Sequence, residues 1–268
     1  MRSCTRPALR YAGGKFRIAA EIVAMMPAHD VYVEPFAGAA SVLLAKAPAA
    51  CEVYNDLCDD VVNLFRQLRD APEALIRSVY LTPYARGEYE RAYEHTSDDL
   101  ERARRLVYRS MAGMGADASR RASSFRTTLV DGRYAHAKSW AGMPDGLAMV
   151  AERLRSGVII EKMPALEVMR RFDSERALHF VDPPYLGGTR KQRARAYNHE
   201  MADEASHEEL IKFLGGLAGQ WMLCGYESKL YARLLKGWPM RKLKQRDQRN
   251  AQREECVWMN FEPEAMLL

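Results

Sequence analysis

The run Phe180, Val181, Asp182, Pro183, Pro184, Tyr185 leaves the chain few options. Two apolar residues ending in an acid read as a buried strand that delivers a carboxylate to its carboxyl end. Two successive prolines then stop the chain, because neither offers a backbone donor to a ladder or a helix. Tyr185 is expected on a stiff backbone, its ring displayed beside a carboxylate at the mouth of a sheet, where open α/β folds keep their ligands. A single Pro-Pro pair alone reads more simply as a strand-ending loop with a surface tyrosine. The four residues in this order point to a site.

Strand-like and helix-like segments alternate around that run. Val31 to Glu34, Cys51 to Tyr54, Val158 to Ile160, Ala177 to Val181 and Trp221 to Cys224 are short apolar strands, with Trp238 and Cys256 to Phe261 as closing strands. Helical spacing of apolar residues is read from Phe16 to Met26, Val42 to Lys46, Leu57 to Leu68, Ala165 to Phe172, His207 to Leu217 and Leu230 to Leu235. The alternation predicts an α/β fold with a doubly wound, mostly parallel, Rossmann-like sheet. From Pro72 to about Arg155 the pattern is helical without an evident strand, and it contains a Gly/Ser/Arg-rich stretch from Gly113 to Phe125. Residues 72–155 therefore read as an inserted, mainly helical subdomain. Residues 1–71 and 156–268 form the domain that it interrupts.

The segment Leu9 to Lys15 carries Gly13 and Gly14 ahead of the first helical pattern, which is expected to place the pair at a helix N-terminus, where free N–H groups favour an anion. A phosphate loop is excluded, since Phe16 follows Lys15 where Ser or Thr would be required. A carboxylate and a plain glycine turn both remain open. Phe36 to Ser41 then makes a small-residue turn between a strand and a helix, a degenerate relative of the dinucleotide fingerprint. Asp56 lies 18 residues beyond Gly38, close to the spacing at which such folds set an acid on ribose hydroxyls. Asn55 or Asp56 also suits a helix cap for the segment that follows.

Charge is unevenly spread. Arg102 to Lys138, Arg190 to Arg195 and Arg241 to Arg253 carry net +7, +4 and +5, so the rest of this +5 chain carries −11. That asymmetry favours a basic face meeting a polyanion, with Arg109, Arg120, Arg121, Arg126, Arg190, Lys191, Arg193 and Arg195 as candidate nucleic-acid contacts. Solvated charge is the plainer reading of any one run. The five cysteines are scattered and read as free thiols, and the six histidines show no metal-ligand spacing. No run reaches the roughly 18 apolar residues of a membrane span, and the N-terminus lacks a signal-peptide core, so a cytoplasmic protein without metal is expected. Trp140 and Trp238 are expected in the core.

Taken together, the strand ends supply a glycine-lysine anchor, a small-residue turn, an acid suited to a ribose and a carboxylate-Pro-Pro-aromatic unit. Asp182 and the Pro183 carbonyl could each accept a hydrogen bond from an exocyclic amine while Tyr185 stacks on the ring. Two acceptors aimed at its protons favour a pyramidal nitrogen whose lone pair is free for in-line attack on an activated methyl group.

In these motifs the chain resembles the Dam-type DNA adenine N6-methyltransferases, phage and prophage members in particular. The resemblance rests on LRYAGGK at Leu9 to Lys15, VEPFAGAAS at Val33 to Ser41, YNDL at Tyr54 to Leu57 and VDPPY at Val181 to Tyr185, with looser matches at LCGYESKLY (Leu223 to Tyr231) and VWMN (Val257 to Asn260). It implies S-adenosylmethionine held by Tyr11, Lys15, Glu34, Phe36, Gly38, Asp56 and Asp182. It further implies a catalytic unit of Asp182, Pro183 and Tyr185, and double-stranded DNA read by the insert. Two departures stand out: alanine replaces glycine within VEPFAGAAS, and Lys162 to Pro164 offers no residue for the cofactor's adenine.

The expected reaction is methylation of N6 on an adenine flipped out of duplex DNA, in a restriction-modification setting or, on the resemblance, as an orphan enzyme. N4-cytosine methylation uses the same amine chemistry but more often carries serine in place of Asp182. C5 methylation needs a Pro-Cys nucleophile, and no cysteine here follows a proline. Structured RNA as substrate and a non-catalytic nucleic-acid binder of the same fold are the remaining alternatives. A monomer or weak dimer without an obligate protein partner is expected.

Overall fold

A computed structural model describes residues 7–11, 13–114, 124–127, 135–186, 203–246 and 252–263. In chain order the elements are α1 (Ala19–Ala24), β1 (Val31–Glu34), α2 (Ser41–Ala45), β2 (Cys51–Asn55), α3 (Asp59–Asp70), α4 (Pro72–Leu81), α5 (Arg86–Arg91) and α6 (Asp99–Ala112). There follow α7 (Ala135–Ala141), α8 (Met143–Leu154), β3 (Val158–Glu161), α9 (Ala165–Arg171), β4 (Ala177–Val181), α10 (Glu204–Leu214), β5 (Gln220–Gly225), α11 (Lys229–Leu234), β6 (Met240–Arg246) and β7 (Gln252–Met259).

The strands form one sheet in the order β3-β2-β1-β4-β5-β7-β6. The first five run parallel, β7 is antiparallel to β5, and β6 is antiparallel to β7. This is the expected doubly wound, Rossmann-like sheet. Strand order reverses between β1 and β4, so the crevice at their carboxyl ends is where a ligand site belongs.

Alternation along the strands loads both faces. Tyr32, Tyr54, Leu178, Phe180, Met222 and Cys224 pack into one cluster with apolar residues of α1 to α4, α6 and α8. Trp221, Leu223 and Val181 face the other way onto α10 and α11, and Val33 and Val53 onto Val168 of α9. The period of two along a strand thus assigns each side chain to a layer. Buried residues of the helical segment, among them Leu75, Val79, Leu106, Leu147 and Val150, belong to the same cluster as the sheet face they cover.

Helix ends follow local chemistry. Asp98, Asp203 and Ser228 cap α6, α10 and α11 by accepting from the backbone N–H three residues on, and Pro72 sits at the first turn of α4. Several expectations are corrected. The first helix begins at Ala19, so the glycine pair lies ahead of a turn and not at the helix N-terminus. Neither Asn55 nor Asp56 caps α3, whose N-cap is Cys58. Trp140 is buried, its indole donating to the Thr82 carbonyl, whereas Trp238 is 38% exposed against Trp221. The basic run from Arg241 is strand β6, masked in sequence because Leu243 is its one buried described side chain and charges line a sheet edge. Cys51, Cys58, Cys224 and Cys256 are free. Among the described residues no helix is long and apolar enough to cross a membrane, and no metal-binding cluster occurs.

Candidate active site

Two groups of side chains meet at the carboxyl ends of β2, β1 and β4. The first surrounds the turn after β1. Gly38 holds φ +49°, and a Cβ there would lie 2.8 Å from the Tyr11 ring, so glycine permits both the backbone and the close approach of the aromatic. The Gly38 N–H donates to Asp56 Oδ2 (2.9 Å), and the Gly38 carbonyl accepts from the Tyr54 hydroxyl (3.0 Å). Asp56 Oδ1 accepts from Cys58 N–H (2.8 Å), which fixes the carboxylate between the two turns. Asn55 ties Pro35 and Met163 together by side-chain bonds to both backbones. Phe36 is half-buried against the apolar cluster of α10 and α11.

Glu34, at the end of β1, is buried and accepts from the Tyr32 hydroxyl (2.7 Å) and Leu43 N–H (2.6 Å). Its carboxyl thus satisfies the start of α2. Burial pushes its pKa up to about 8 against the lowering pull of those two donors.

The second group lies at the end of β4. Lys15 Nζ is 2.7 Å from both Asp182 oxygens, 2.6 Å from the Tyr185 hydroxyl and 2.9 Å from the Gly13 carbonyl. The Tyr185 hydroxyl donates to Glu255 of β7, whose carboxylate is 3.6 Å from Lys15 Nζ. Burial acts to lower the Lys15 pKa, but the charges of Asp182 and Glu255 outweigh it and hold the amine above its ordinary value. Burial raises Tyr185 well above 10, with Asp182 and Glu255 adding to it. The Asp182 side chain is 19% exposed against 2% for Lys15 and 0% for Glu255. Tyr185 is itself 7% exposed, a correction to the ring expected on display: its hydroxyl is drawn inward and its ring lies 4.7 Å from that of Tyr226.

The prolines between these residues are held as well. His207 of α10 lies with Nε2 3.0 Å from the Pro184 carbonyl and Nδ1 2.7 Å from the Tyr231 hydroxyl. Gly225, at the end of β5, leaves room for the Tyr231 ring, which a Cβ would approach to 2.8 Å. A carboxylate delivered by a central parallel strand, with a Pro-Pro turn pinned on both sides and a glycine turn one strand away, has the donors, acceptors and space to receive a planar amine beside a second ligand.

A family model described as D12 class N6 adenine-specific DNA methyltransferase matches residues 11–251. The chain belongs to that family. As a D12-class enzyme it is an adenine-specific DNA methyltransferase, and DNA is its substrate. It is also similar to a relative from Lactococcus lactis subsp. cremoris named type II methyltransferase M1.LlaDCHI, 26% identical over 254 residues that cover 89% of this chain and 87% of the relative.

In this D12-class methyltransferase the expected site residues divide three ways. Tyr11, Gly38 and Asp56 come together, as do Lys15, Asp182 and Tyr185. Arg109 is 7% exposed, donates to the Ala92 carbonyl (2.6 Å) and lies 3.5 Å from Asp60. Its neighbours on α6 are similarly engaged, Arg102 with Asp59, Asp60 and Asp99, and Arg104 and Arg105 with Glu101. The first basic run is thus partly an intramolecular ion-pair network. Arg126 is half-buried next to the Gly113–Phe125 bridge. Arg120, Arg121, Arg190, Lys191, Arg193 and Arg195 lie outside the described residues. Glu255 and His207 were missed. The one signal for Glu255 is an acid directly preceding an apolar strand, and for His207 a polar residue at a core position of α10.

Proposed function

We propose that the enzyme binds S-adenosylmethionine at the β1 and β2 ends and methylates N6 of an adenine turned out of duplex DNA into the site at Asp182 and Tyr185. The observation that carries this reading is the position of Asp182. It is the most exposed carboxylate of a buried charge cluster, at the switch point of the sheet and one strand from the Gly38 turn.

The residues present fit the cofactor. Gly38 offers a backbone approach that a Cβ would close, Asp56 suits ribose hydroxyls, and Tyr11 packs over the turn. The Ser41 hydroxyl, buried beside Gly14 without a partner among the described residues, is an unused polar group on the same side. Bound there, S-adenosylmethionine would supply a methyl group on a sulfonium, with a neutral thioether as the leaving group.

The chain's own residues do the rest. A carboxylate has about four lone-pair positions, so Asp182, with one on each oxygen taken by Lys15, keeps acceptors for an N6 proton. The Pro183 carbonyl is the second acceptor. Together they favour a pyramidal N6, whose lone pair forms the bond to the methyl carbon; N6 then carries positive charge and sheds a proton towards Asp182. Tyr185 and Tyr226 provide aromatic walls for the base. Extrusion from the duplex is required because pairing and stacking otherwise occupy the amine.

Residues 72–155 are proposed as the segment that reads DNA, with Arg120, Arg121 and Arg126 and the basic residues from Arg190 to Arg195 as phosphate or base contacts. The type II designation of the lactococcal relative supports a restriction-modification role in place of an orphan one. Incubation with methyl-labelled S-adenosylmethionine and mixed-sequence duplex DNA should yield N6-methyladenine, and Asp182→Ala should abolish it. Label appearing on cytosine, or on adenine with Asp182→Ala at the wild-type rate, would overturn the reading.

A further inference from the structure

Glu255 is a fully buried carboxylate on the antiparallel hairpin, outside every motif that marks the site. It accepts from the Tyr185 hydroxyl and lies 3.6 Å from Lys15 Nζ, while Lys15 sits 2.7 Å from Asp182. One ammonium therefore serves two carboxylates. With Glu255 ionised the cluster carries a net single negative charge; with Glu255 neutral, Lys15 would cancel the charge of Asp182 and the half-buried Asp182 carboxylate would meet substrate as half of a closed ion pair.

We propose that Glu255 is a positioning residue that shares the Lys15 ammonium, so that Asp182 faces the substrate as a charged acceptor, and that anchors the Tyr185 ring through its hydroxyl. The proposal rests on reading Asp182 and Tyr185 as the reaction site. Positive charge reaches N6 as its bond to carbon forms, and a fixed negative charge in a site of low dielectric stabilises that charge without reorganising. The groups facing Glu255 are Lys15 from the turn before α1, Asp182 and Tyr185 from the segment after β4, and the Cys224 thiol of β5; β6 sets Leu243 opposite it in register. Burial raises the Glu255 pKa above the ordinary glutamate value, with Lys15 opposing and Asp182 adding. Lowering the pH of the wild-type enzyme thus reproduces, reversibly, what a neutral side chain does.

The test is single-turnover methylation of duplex DNA with labelled S-adenosylmethionine, followed across pH for wild type, Glu255→Gln, Glu255→Asp and Asp182→Ala. Glu255→Gln keeps an acceptor for Tyr185 and removes the charge. Its rate at about pH 8 should fall roughly tenfold or more while the dissociation constants for DNA and cofactor stay at wild-type values. The wild-type rate should decline on the acid side with an apparent pKa above the ordinary glutamate value of about 4.3, a limb that Glu255→Gln lacks and Glu255→Asp retains. A Glu255→Gln enzyme that turns over at the wild-type rate, or that keeps the acid limb, overturns the proposal while an inactive Asp182→Ala leaves the reaction site standing. An Asp182→Ala enzyme of full activity removes the reading and the proposal with it. The wild-type profile needs no variant to fold: a rate flat down to about pH 5 overturns the proposal by itself.

Discussion

Lys15 and Asp182, 167 residues apart in sequence, meet with the ammonium nitrogen 2.7 Å from both carboxylate oxygens. The contact joins the first described turn of the chain to the end of the central strand, and Glu255 from the last hairpin completes it. Removing the cation strands two buried or half-buried carboxylates beside each other. Lys15→Met should therefore cost about 3–5 kcal/mol of stability, the penalty for breaking a buried pair from one side, measured by urea denaturation. A loss below about 1 kcal/mol would mean that the two carboxylates find other partners or a shared proton.

The carboxyl of Glu34 gives the fold a pH dependence of definite sign. Its pKa is raised to about 8 by burial, so between the ordinary glutamate range and about pH 8 the folded state holds a proton that the unfolded chain has released. The stability this contributes is fully present below the unfolded pKa and is lost as pH rises through the folded one. Glu34→Gln keeps an oxygen for Tyr32 and Leu43 and cannot ionise. Relative to wild type it should gain at least about 1 kcal/mol between pH 5 and pH 8, read from denaturation curves at the two pH values. A wild-type-minus-variant difference that does not change with pH would show that Glu34 is ionised throughout.

Much of this architecture was legible in the sequence because strands buried on both faces leave apolar runs, and because prolines and glycines mark where they end. β1 to β5 and the helices α2, α3, α9 and α10 could be placed within a few residues on that basis, whereas α4 to α8 read only as one helical stretch without separate bounds. β6 could not: an edge strand whose Arg241, Lys242 and Lys244 are exposed, with only Leu243 buried and Met240 half-buried, shows charge where a strand pattern would show alternation. Similarly, Asp182 and Lys15 announce themselves through short motifs, whereas Glu255 and His207 reach the Pro-Pro turn and Tyr185 only through tertiary contacts made 70 and 23 residues away in sequence. Composition also misled in one respect. Arg102, Arg104, Arg105 and Arg109 count as a basic run, yet their charges are met by Glu101 of the same helix and by Asp59 and Asp60 of α3 and Glu88 of α5.

Ala40, in the turn between β1 and α2, carries a measurable cost. Ala40 is the only non-glycine residue with positive φ among those described, at +52°, a conformation that disfavours an L side chain by roughly 1–2 kcal/mol. Ala40→Gly removes that strain and also a buried methyl worth about 0.8 kcal/mol. The two effects should leave the variant at or slightly above wild-type stability. Ala103→Gly, at an ordinary buried position of α6, should lose about 1 kcal/mol or more. Equal losses at both positions in thermal denaturation would place no strain at Ala40.

His207 holds the Pro-Pro turn from the side opposite Glu255, and its chemistry permits the two contacts together. With the proton on Nε2 the ring donates to the Pro184 carbonyl, and the lone pair on Nδ1 accepts the Tyr231 hydroxyl. Ser228 caps α11 and so sets the position of Tyr231, while Gly225 leaves space for its ring. His207→Phe fills the volume but leaves the carbonyl and the hydroxyl without their partner, at about 1–3 kcal/mol. Since the turn carries Pro183, whose carbonyl we propose as an acceptor, and Tyr185, the variant should also lower the single-turnover methylation rate by roughly tenfold with DNA affinity unchanged. Tyr231→Phe keeps the bond to Pro184 and should cost only about 1 kcal/mol with little change in rate. Should Tyr231→Phe slow methylation as much as His207→Phe, the tyrosine hydroxyl and not the bond to Pro184 would be what positions the turn.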